Sequence, residues 1–389
     1  ITVFVRRDGG EPLRDPKVLD RIAEAVAAEG ADAWFTSDPA RFLAPEYDPA
    51  DFEQVTDILD VWFESGATHS FVLEPRPDLR WPASLYLEGS DQHRGWFHSS
   101  LLESCGTRGR APFDAILTHG FVMGEDGEKM SKSRGNVIAP QDVVENHGAD
   151  VLRLWVVGSD YAEDLRIGSA ILKQHADIYR RLRNTLRFLL GNLAGFSDAE
   201  RLAPDEMPEL ERWVLHRLVE MDQSLRKACD AFEFHGLFGE LHGFCAVELS
   251  AFYFDIRKDS LYCDREDAIR RRAARTVLDV LFDCLTAWLA PFICFTAEEA
   301  WLARNPGETS SVHLRLFPTL PESWRDDALA ERFAVLRRLR RVVTGAIEVE
   351  RAARRIGSSL QARPVVYAGP EYHEAARGID LTELFITSA

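Results

Sequence analysis

The chain has 389 residues, of which 46% are hydrophobic and 28% are charged, and its formal net charge is -17. This apolar content is enough for packed cores, so the composition excludes a fully disordered chain and a fibrous protein. At about 100–200 residues per domain, the length predicts two or three domains. No run reaches the roughly 18 consecutive apolar residues of a membrane helix, so we expect no membrane partner.

The six cysteines form no CxxC pair, and the sequence contains no secretory apolar segment. We therefore expect reduced thiols in a cytoplasmic protein and no metal site within this chain. The acidic total argues against nonspecific binding to nucleic acid, because polyanions repel each other. Basic residues nevertheless concentrate in the segments 180–187, 270–275 and 337–355. Each segment fits a local RNA-binding stripe or, equally well, a solvated helix face with ion pairs along the helix.

The predicted elements begin with a strand at Ile1–Val5 and an Ala-rich helix at Pro16–Glu29, followed by a polar linker at Ala31–Asp51. From Ile58 to Ser159, short β-rich runs alternate with helical stretches. The runs are Leu85–Leu87, Ile116–Thr118 and Phe121–Met123. This alternation is typical of a parallel α/β sheet whose functional loops follow the strands. Because the first residue is not Met and the last residues follow an apolar run, we expect an internal segment of a longer polypeptide.

From Ser169 onward, apolar residues recur at helical spacing and predict long helices. These helices cover 171–189, 210–225, 273–288 and 328–354. Thr296 followed by Glu299 is typical of a capping box at a helix start. Val365–Tyr367 has the composition of a strand. The second half is therefore predicted to be an all-α helical bundle that ends in a small mixed element.

The segment Lys129–Ser133 has the sequence Lys-Met-Ser-Lys-Ser and follows the turn Gly124–Gly127. Two lysines three residues apart, with serines beside them, form a cationic loop with hydroxyl donors. Such a loop suits a polyphosphate, because ammonium groups stabilise the charge that a leaving pyrophosphate gains in the transition state. For a short basic run taken alone, an exposed turn is the commoner explanation.

A second loop lies between a predicted strand and a helix, within Tyr86–Trp96. In a doubly wound fold, ligands bind at this end of the strands. Gly89 allows close approach to a nucleotide, and Asp91 and Gln92 suit ribose hydroxyls. Glu88 suits an ammonium group. Gly and Asp also simply make turns, so this loop alone does not define a nucleotide site.

Two tryptophans form the third feature. Trp62 is predicted at a strand end, and Trp96 opens the helix after the second loop. A single tryptophan is usually part of a core. Together, the two can line an apolar pocket about as wide as one aliphatic side chain. His69, His93 and His98 lack the spacing of metal ligands, which favours structural or peripheral roles for them.

The three features together resemble the bacterial-type isoleucyl-tRNA synthetases, a family within the class I aminoacyl-tRNA synthetases. KMSKS is typical of the whole class. DVWFESG at Asp60–Gly66 and YLEGSDQHRGWF at Tyr86–Phe97 are similar to the isoleucine family in particular. The resemblance continues through GADVLRLWV, YRRLRNTLRFLL and FYFDIRKDSLY, and it covers essentially the whole chain.

The resemblance implies an α/β Rossmann-like half-domain with a parallel sheet, followed by an all-α helical bundle. Residues 1–57 would be the tail of an insertion, and 58–165 the second half of the catalytic domain with the KMSKS loop. Residues 166–360 would be the stem-contact and anticodon-binding domain, and 361–389 the start of a small C-terminal element. The implied reaction activates L-isoleucine with ATP and Mg²⁺ and transfers it to tRNA(Ile). A monomer is the implied state.

The resemblance also implies roles for single residues. Lys132 would act on the ATP phosphates, supported by Lys129, while Trp62 and Trp96 would wall the isoleucine pocket. The residues implied to contact ATP or the adenylate are Glu88, Gly89, Asp91, Gln92, Ser131, Lys132 and Ser133. We further expect four arginines of one helix to face the tRNA backbone, namely Arg180, Arg181, Arg183 and Arg187.

The family's His-x-Gly-His element, most of its editing insertion and its C-terminal zinc-binding cysteines are not in this sequence. We therefore expect this segment alone neither to activate isoleucine nor to edit. The alternative is a non-catalytic tRNA-binding module derived from a class I synthetase. Intact Glu88, Asp91, Lys129 and Lys132 argue against that alternative. Specificity for valine or leucine within the class is a weaker alternative, because Asp60–Gly66 and Asp91–Trp96 match the isoleucine pattern better.

Overall fold

The computed structural model describes residues 1–131 and 135–389. The chain divides into two compact units, Ile1–His119 and Gly120–Ala389, which we call unit 1 and unit 2. Within the described residues, no helix combines the length and the apolar character needed to cross a membrane.

Unit 1 begins with a small layer of helices on a strand pair. Its elements are β1 (Phe4–Arg6), α1 (Pro16–Glu29), α2 (Asp32–Thr36), α3 (Ala40–Leu43) and β2 (Phe52–Gln54). The helix predicted at Pro16–Glu29 is confirmed, and the Asp15 carboxylate caps it by accepting a 2.9 Å hydrogen bond from the backbone N of Lys17. β1 and β2 are antiparallel, with Phe4 opposite Gln54.

The prediction of a linker at Ala31–Asp51 is wrong, because this segment contributes to the core of the layer. Trp34 and Phe42 are buried with their ring centroids 5.7 Å apart, and the Trp34 indole donates a 2.9 Å hydrogen bond to the carbonyl of Val55. Helices of four or five residues are too short to show a 3.6-residue period. The polar composition of the segment therefore masked its few large apolar side chains.

The rest of unit 1 holds a parallel strand pair and two helices. The elements are α4 (Val61–Gly66), β3 (Tyr86–Gly89), α5 (Trp96–Arg108) and β4 (Ile116–His119). β3 and β4 run side by side, with Tyr86 opposite Ile116 and Gly89 opposite His119. The predicted parallel strands and the helix between them are thereby confirmed.

Unit 2 begins with a second parallel pair. The elements are β5 (Val122–Met123), α6 (Pro140–His147), α7 (Ala149–Val157) and β6 (Leu165–Arg166). A small core joins them, formed by Val143, Trp155, Leu165, Ile167 and Leu172. Met130, within the KMSKS segment, and Ile138, after it, pack against this core.

The remainder of unit 2 is the predicted helical bundle, followed by two short helices. Its helices are α8 (Ser169–Asn192), α9 (Glu209–Asp230), α10 (Phe234–Gly243), α11 (Asp255–Cys263), α12 (Ile269–Leu289), α13 (Cys294–Arg304), α14 (Asp327–Ala352), α15 (Pro370–Ala376) and α16 (Leu381–Phe385). The predicted apolar stripes form one continuous core, in which Leu182, Leu218 and Leu281 are fully buried. Between α10 and α11, Phe244–Phe254 forms a wider helical segment with five-residue spacing of its hydrogen bonds.

A buried ion network stands inside this bundle. The Arg257 guanidinium donates to both oxygens of Glu211, at 2.6 and 2.8 Å, and to Glu383 at 2.7 Å. The Tyr253 hydroxyl donates to Glu211 as well, at 3.1 Å. Because Glu211 and Arg257 are at most 2% exposed, each charge depends on the other for compensation.

Two smaller predictions fail in unit 2. No strand forms at Val365–Tyr367: Tyr367 is 95% exposed, and within the described residues no neighbouring strand pairs with this segment. The capping box at Thr296 and Glu299 is also absent, because α13 begins at Cys294. Its cap comes from α7 instead, where the Asp150 carboxylate accepts hydrogen bonds from the backbone N of Phe295 and Thr296, at 3.2 and 2.8 Å.

Candidate functional site

The loop after β3 brings two carboxylates to the same glycine. Glu88 and Asp91 are exposed, whereas Gly89 is buried between them and β4. The backbone N of Gly89 donates to Glu88 Oε2 at 3.3 Å, and a Cβ at Gly89 would lie only 2.5 Å from Asp91 Oδ1. A side chain at this position would displace Asp91. Because Asp91 Oδ1 is the end of an exposed side chain, an added methyl group would move that carboxylate rather than the backbone; the loop presents both carboxylates to solvent.

Gln92 has a structural role that the sequence did not predict. Its Oε1 accepts a 2.9 Å hydrogen bond from the backbone N of Trp96, at the first turn of α5. The side chain thus satisfies a backbone donor that has no partner within the helix. Gln92 fixes the loop to the helix that carries Trp96.

The two tryptophans lie at the adjacent starts of α4 and α5. The predicted position of Trp62 at a strand end is wrong, because Asp60 accepts a 2.8 Å hydrogen bond from the backbone N of Trp62 and so caps a helix there. The Trp62 side chain is 45% exposed, and its six-membered ring lies against Gly95. The structure therefore brings Trp62 to the residue that immediately precedes Trp96.

Trp96 is held more firmly than Trp62. Its indole N–H donates a 3.0 Å hydrogen bond to the carbonyl of Ser65 at the end of α4. One ring face stacks on Tyr86, with centroids 4.1 Å apart and only 6° between the planes. The Tyr86 hydroxyl forms a 3.0 Å hydrogen bond with Ser100 Oγ, so β3 and α5 hold the stack from both sides. These contacts hold the Trp96 ring in place, whereas the Trp62 ring stays half exposed.

Behind these helices, polar groups are buried without partners. His69 is 1% exposed, and neither ring nitrogen has a hydrogen-bond partner within the described residues; the same holds for Glu103 Oε1. Burial lowers the pKa of His69, with a smaller contribution from the charge of Arg108. Burial raises the pKa of Glu103. Both shifts favour the uncharged forms of these groups.

The KMSKS segment of unit 2 is described only at its base. Lys132 and Ser133, both implied to contact ATP phosphates, lie outside the described residues. Lys129 is exposed and pairs with Met123 in an antiparallel bridge. The preceding turn closes through a 2.9 Å hydrogen bond from the backbone N of Gly124 to the carbonyl of Glu128.

Asn136 closes the base of this segment. Its Oδ1 accepts a 2.9 Å hydrogen bond from the backbone N of Ser131, and its Nδ2 donates to the carbonyl of Lys129 at 3.4 Å. One side chain therefore joins both ends of the lysine-containing loop. No role for Asn136 was predicted from the sequence, although an Asn after Gly135 is a typical turn signal.

The four arginines of α8 are all exposed, but they differ in their partners. Arg180 pairs with Asp177 on its own helix. Arg183 donates to both oxygens of Glu299 on α13, at 2.7 and 2.8 Å, and these bonds lower the pKa of Glu299. Within the described residues, Arg181 and Arg187 form no ion pair. Arg180 thus matches the solvated-face explanation, Arg183 pairs with a neighbouring helix, and Arg181 and Arg187 remain available to an anionic partner.

One group of three possible metal ligands occurs among the described residues, formed by His216, Glu220 and Asp327 in the bundle. His216 Nδ1 accepts a 2.8 Å hydrogen bond from the backbone N of Asp326. The proton of a neutral ring is therefore on Nε2, which lies 3.1 Å from Glu220 Oε2. A protonated nitrogen cannot ligate a cation, so this group does not make a metal site.

Comparisons with known proteins agree in family and in fold. A family model described as tRNA synthetases class I (I, L, M and V) matches residues 1–168, and one described as the anticodon-binding domain of tRNA ligase matches residues 211–366. The isoleucine–tRNA ligases of Mesorhizobium japonicum and Caulobacter vibrioides are 56% and 55% identical over this whole chain. The chain spans 39% and 40% of their respective lengths.

A solved structure shares the fold. The LeuRS of Agrobacterium radiobacter K84, in a ternary complex with tRNA and LeuAMS, superposes with a TM-score of 0.56 at 21% sequence identity. The superposition covers 71% of this chain and 34% of that protein. At this identity the likeness concerns the fold alone, and it agrees with a Rossmann-like half followed by a helical bundle.

Proposed function

Because the chain belongs to the class I aminoacyl-tRNA synthetases, we propose that it forms part of an isoleucine–tRNA ligase. In this proposal, the longer protein converts L-isoleucine and ATP to isoleucyl-adenylate and pyrophosphate, and then transfers the isoleucyl group to tRNA(Ile) with release of AMP. The observation that supports it most is the identity of 55–56% to two isoleucine–tRNA ligases over all 389 residues. We expect the complete enzyme to be a cytoplasmic monomer.

Unit 1 would bind the amino acid and the adenosine. The pair Trp62 and Trp96 would contact the isoleucine side chain, since one ring is half exposed and the other is held rigidly beside it. The exposed carboxylate of Glu88 would hold the substrate's ammonium group. Gly89, Asp91 and Gln92 would lie along the adenosine. Because the attacking group is already a carboxylate, no general base is needed, and positioning supplies most of the catalysis.

The KMSKS segment would act on the phosphates. Lys132, supported by Lys129, would neutralise the charge that develops on the departing pyrophosphate, and Ser131 and Ser133 would donate hydrogen bonds. Mg²⁺ would enter bound to ATP, as part of the substrate. Asn136 would hold the two ends of the loop together while the lysines engage. The zinc of the family would bind outside this chain.

The bundle would bind the tRNA. Arg181 and Arg187 have the charge and exposure that phosphate contacts need, whereas Arg180 and Arg183 would first have to leave Asp177 and Glu299. The second candidate function, a non-catalytic tRNA-binding module, rests on the same helices. We expect the 389-residue segment by itself to be inactive, since the family's other ATP motif is not in its sequence.

Amino-acid-dependent ATP–pyrophosphate exchange by the full-length protein separates these functions. We expect exchange with isoleucine, weaker exchange with valine, and the least with leucine. An apolar pocket discriminates against the loss of one methylene by only about 10- to 200-fold, so a residual signal with valine is part of the expectation. No exchange with any of the three would favour the binding module. Faster exchange with valine or leucine would overturn the assigned specificity.

A further inference from the structure

Two glycines allow α4 and α5 to approach each other, one on each helix. At the start of α5, a Cβ on Gly95 would lie 3.1 and 3.2 Å from Cη2 and Cζ3 of Trp62. At the end of α4, a Cβ on Gly66 would collide with Glu103 Oε1 and lie 2.9 Å from Ser99 Oγ. Each helix thus offers a glycine to side chains of the other. A heavier residue at either position would force the two helices, or the side chains between them, apart.

The two glycine contacts lie at the two ends of α4, the helix that carries Trp62, the half-exposed ring of the two-tryptophan site. Trp96 is fixed by its stack on Tyr86 and by its bond to Ser65, whereas Trp62 has no comparable side-chain bond within the described residues. The Trp62 ring lies against Gly95, so a side chain at Gly95 would meet the ring directly. At 3.1 Å, a methyl group there would push the ring by a few tenths of an ångström.

We infer that Gly95 and Gly66 determine amino-acid specificity indirectly, by setting the distance of the Trp62 wall from α5. They are positioning residues, because neither has a side chain that could touch the substrate. The inference rests on the proposed function, in which these tryptophans contact the isoleucine side chain. A displaced wall loses contacts that isoleucine makes and valine does not, so selectivity between the two falls.

The test uses the full-length protein in ATP–pyrophosphate exchange, with KM and kcat measured for isoleucine and valine. Gly95→Ala is expected to raise the KM for isoleucine about tenfold with little change in kcat, and to lower the isoleucine-to-valine ratio of kcat/KM by a similar factor. The matched control is Gly106→Ala on the same helix, where a Cβ meets nothing within 4 Å. Unchanged KM and ratio in a folded Gly95→Ala protein would overturn the inference.

A double substitution shows whether Gly95→Ala changes the KM through Trp62 or through Gln92. Trp62→Phe removes Cη2 and Cζ3, so adding Gly95→Ala in that background is expected to change the KM by less than about twofold. A Cβ at Gly95 also lies 2.5 Å from Gln92 Oε1, the cap of α5. If the full effect persists in the Trp62→Phe background, it acts through Gln92, and the inference fails.

Gly66→Ala provides a second variant should Gly95→Ala not fold. It is expected to raise the KM for isoleucine as well, and Glu103→Ala is expected to restore the KM in part, because Ser99 Oγ would still lie 2.9 Å from the new Cβ. No rescue by Glu103→Ala would contradict the proposed packing. A wild-type protein without isoleucine-dependent exchange would instead refute the proposed function, which keeps the two failures distinguishable.

Discussion

In the bundle of unit 2, Trp213 is 2% exposed and stacks on Phe333 with ring centroids 5.5 Å apart. In unit 1, Trp62 is 45% exposed and rests on a glycine at the start of a helix. The same residue type is surrounded on all sides in one region and left open on one side in the other. A buried ring contributes to the stability of the fold, whereas an open ring retains apolar surface for a ligand.

Two buried polar sites, one in each region, differ in whether their hydrogen-bonding groups have partners. Glu211 and Arg257 are nearly inaccessible, but they satisfy each other through two short hydrogen bonds. His69 is equally buried and has no partner within the described residues. The Glu211–Arg257 network is thus self-contained, whereas the His69 ring is not compensated; the contrast concerns these two sites, since the bundle also holds buried polar atoms that have no partner in the part of the chain that the structure describes, such as Trp288 Nε1.

The largest expected effect compares the two tryptophans directly. Trp213→Ala empties a fully packed site, so we expect it to lower the free energy of unfolding by about 3–5 kcal/mol. Trp62→Ala removes a half-exposed ring, so it should leave stability nearly unchanged and raise the KM for isoleucine. Urea unfolding followed by circular dichroism, together with exchange kinetics, measures both quantities. Strong destabilisation by Trp62→Ala would show that this ring belongs to the core, and it would contradict the proposed difference between the two tryptophans.

An intermediate effect is expected on the surface of α8. Reversing Arg181 and Arg187 to Glu should weaken tRNA binding at least about tenfold and reduce its salt dependence by about one unit of slope per phosphate contact. Arg265→Glu is the control, because Arg265 is exposed but already pairs with Asp267. The tRNA affinity of each variant, measured at several salt concentrations, gives the slope that tests this prediction. An unchanged salt slope would return Arg181 and Arg187 to the solvated-face explanation.

The smallest expected effect is on the pH dependence of stability, and it involves His69. Burial lowers the pKa of this imidazole below its unfolded value of about 6.5, so the unfolded chain binds the proton more readily. The stability from the neutral ring is complete above pH 6.5 and decreases as the pH falls from there towards the folded pKa. His69→Gln should therefore flatten the decline of the thermal midpoint between pH 7 and 5. His98→Gln, at an exposed site of α5, should not.

The sequence predicted the bundle well because its evidence is local and repeated. Each long helix shows several apolar residues at 3.6-residue spacing, and the stripe containing Leu182, Leu186 and Leu189 became core as expected. Elements that depend on distant partners were predicted poorly. The cap of α13 comes from Asp150, which is 146 residues away from Thr296, and no local pattern around Thr296 could reveal it.

The proposed roles of the site residues stay predictions, and the local geometry around these residues was not predicted from the sequence. The motifs identified Trp62, Trp96 and Gln92, yet the helix around Trp62 and the capping role of Gln92 depend on how α4 and α5 pack. Gly95 and Asn136 illustrate the same limit. Gly95 matters because a side chain there would meet Trp62, and Asn136 matters because its amide bonds backbone groups of the neighbouring loop. Neither property is visible in a residue pattern.

We propose that this chain supplies the phosphate-binding lysine and the amino-acid pocket of an isoleucine-activating enzyme. The most direct test is the single-turnover rate of isoleucyl-adenylate formation by the full-length protein, compared between wild type, Lys132→Ala and the exposed control Lys173→Ala. Removing one group that stabilises transition-state charge is expected to slow the step by about 10²–10³-fold, with the control unchanged. Equal rates in wild type and Lys132→Ala would contradict the account.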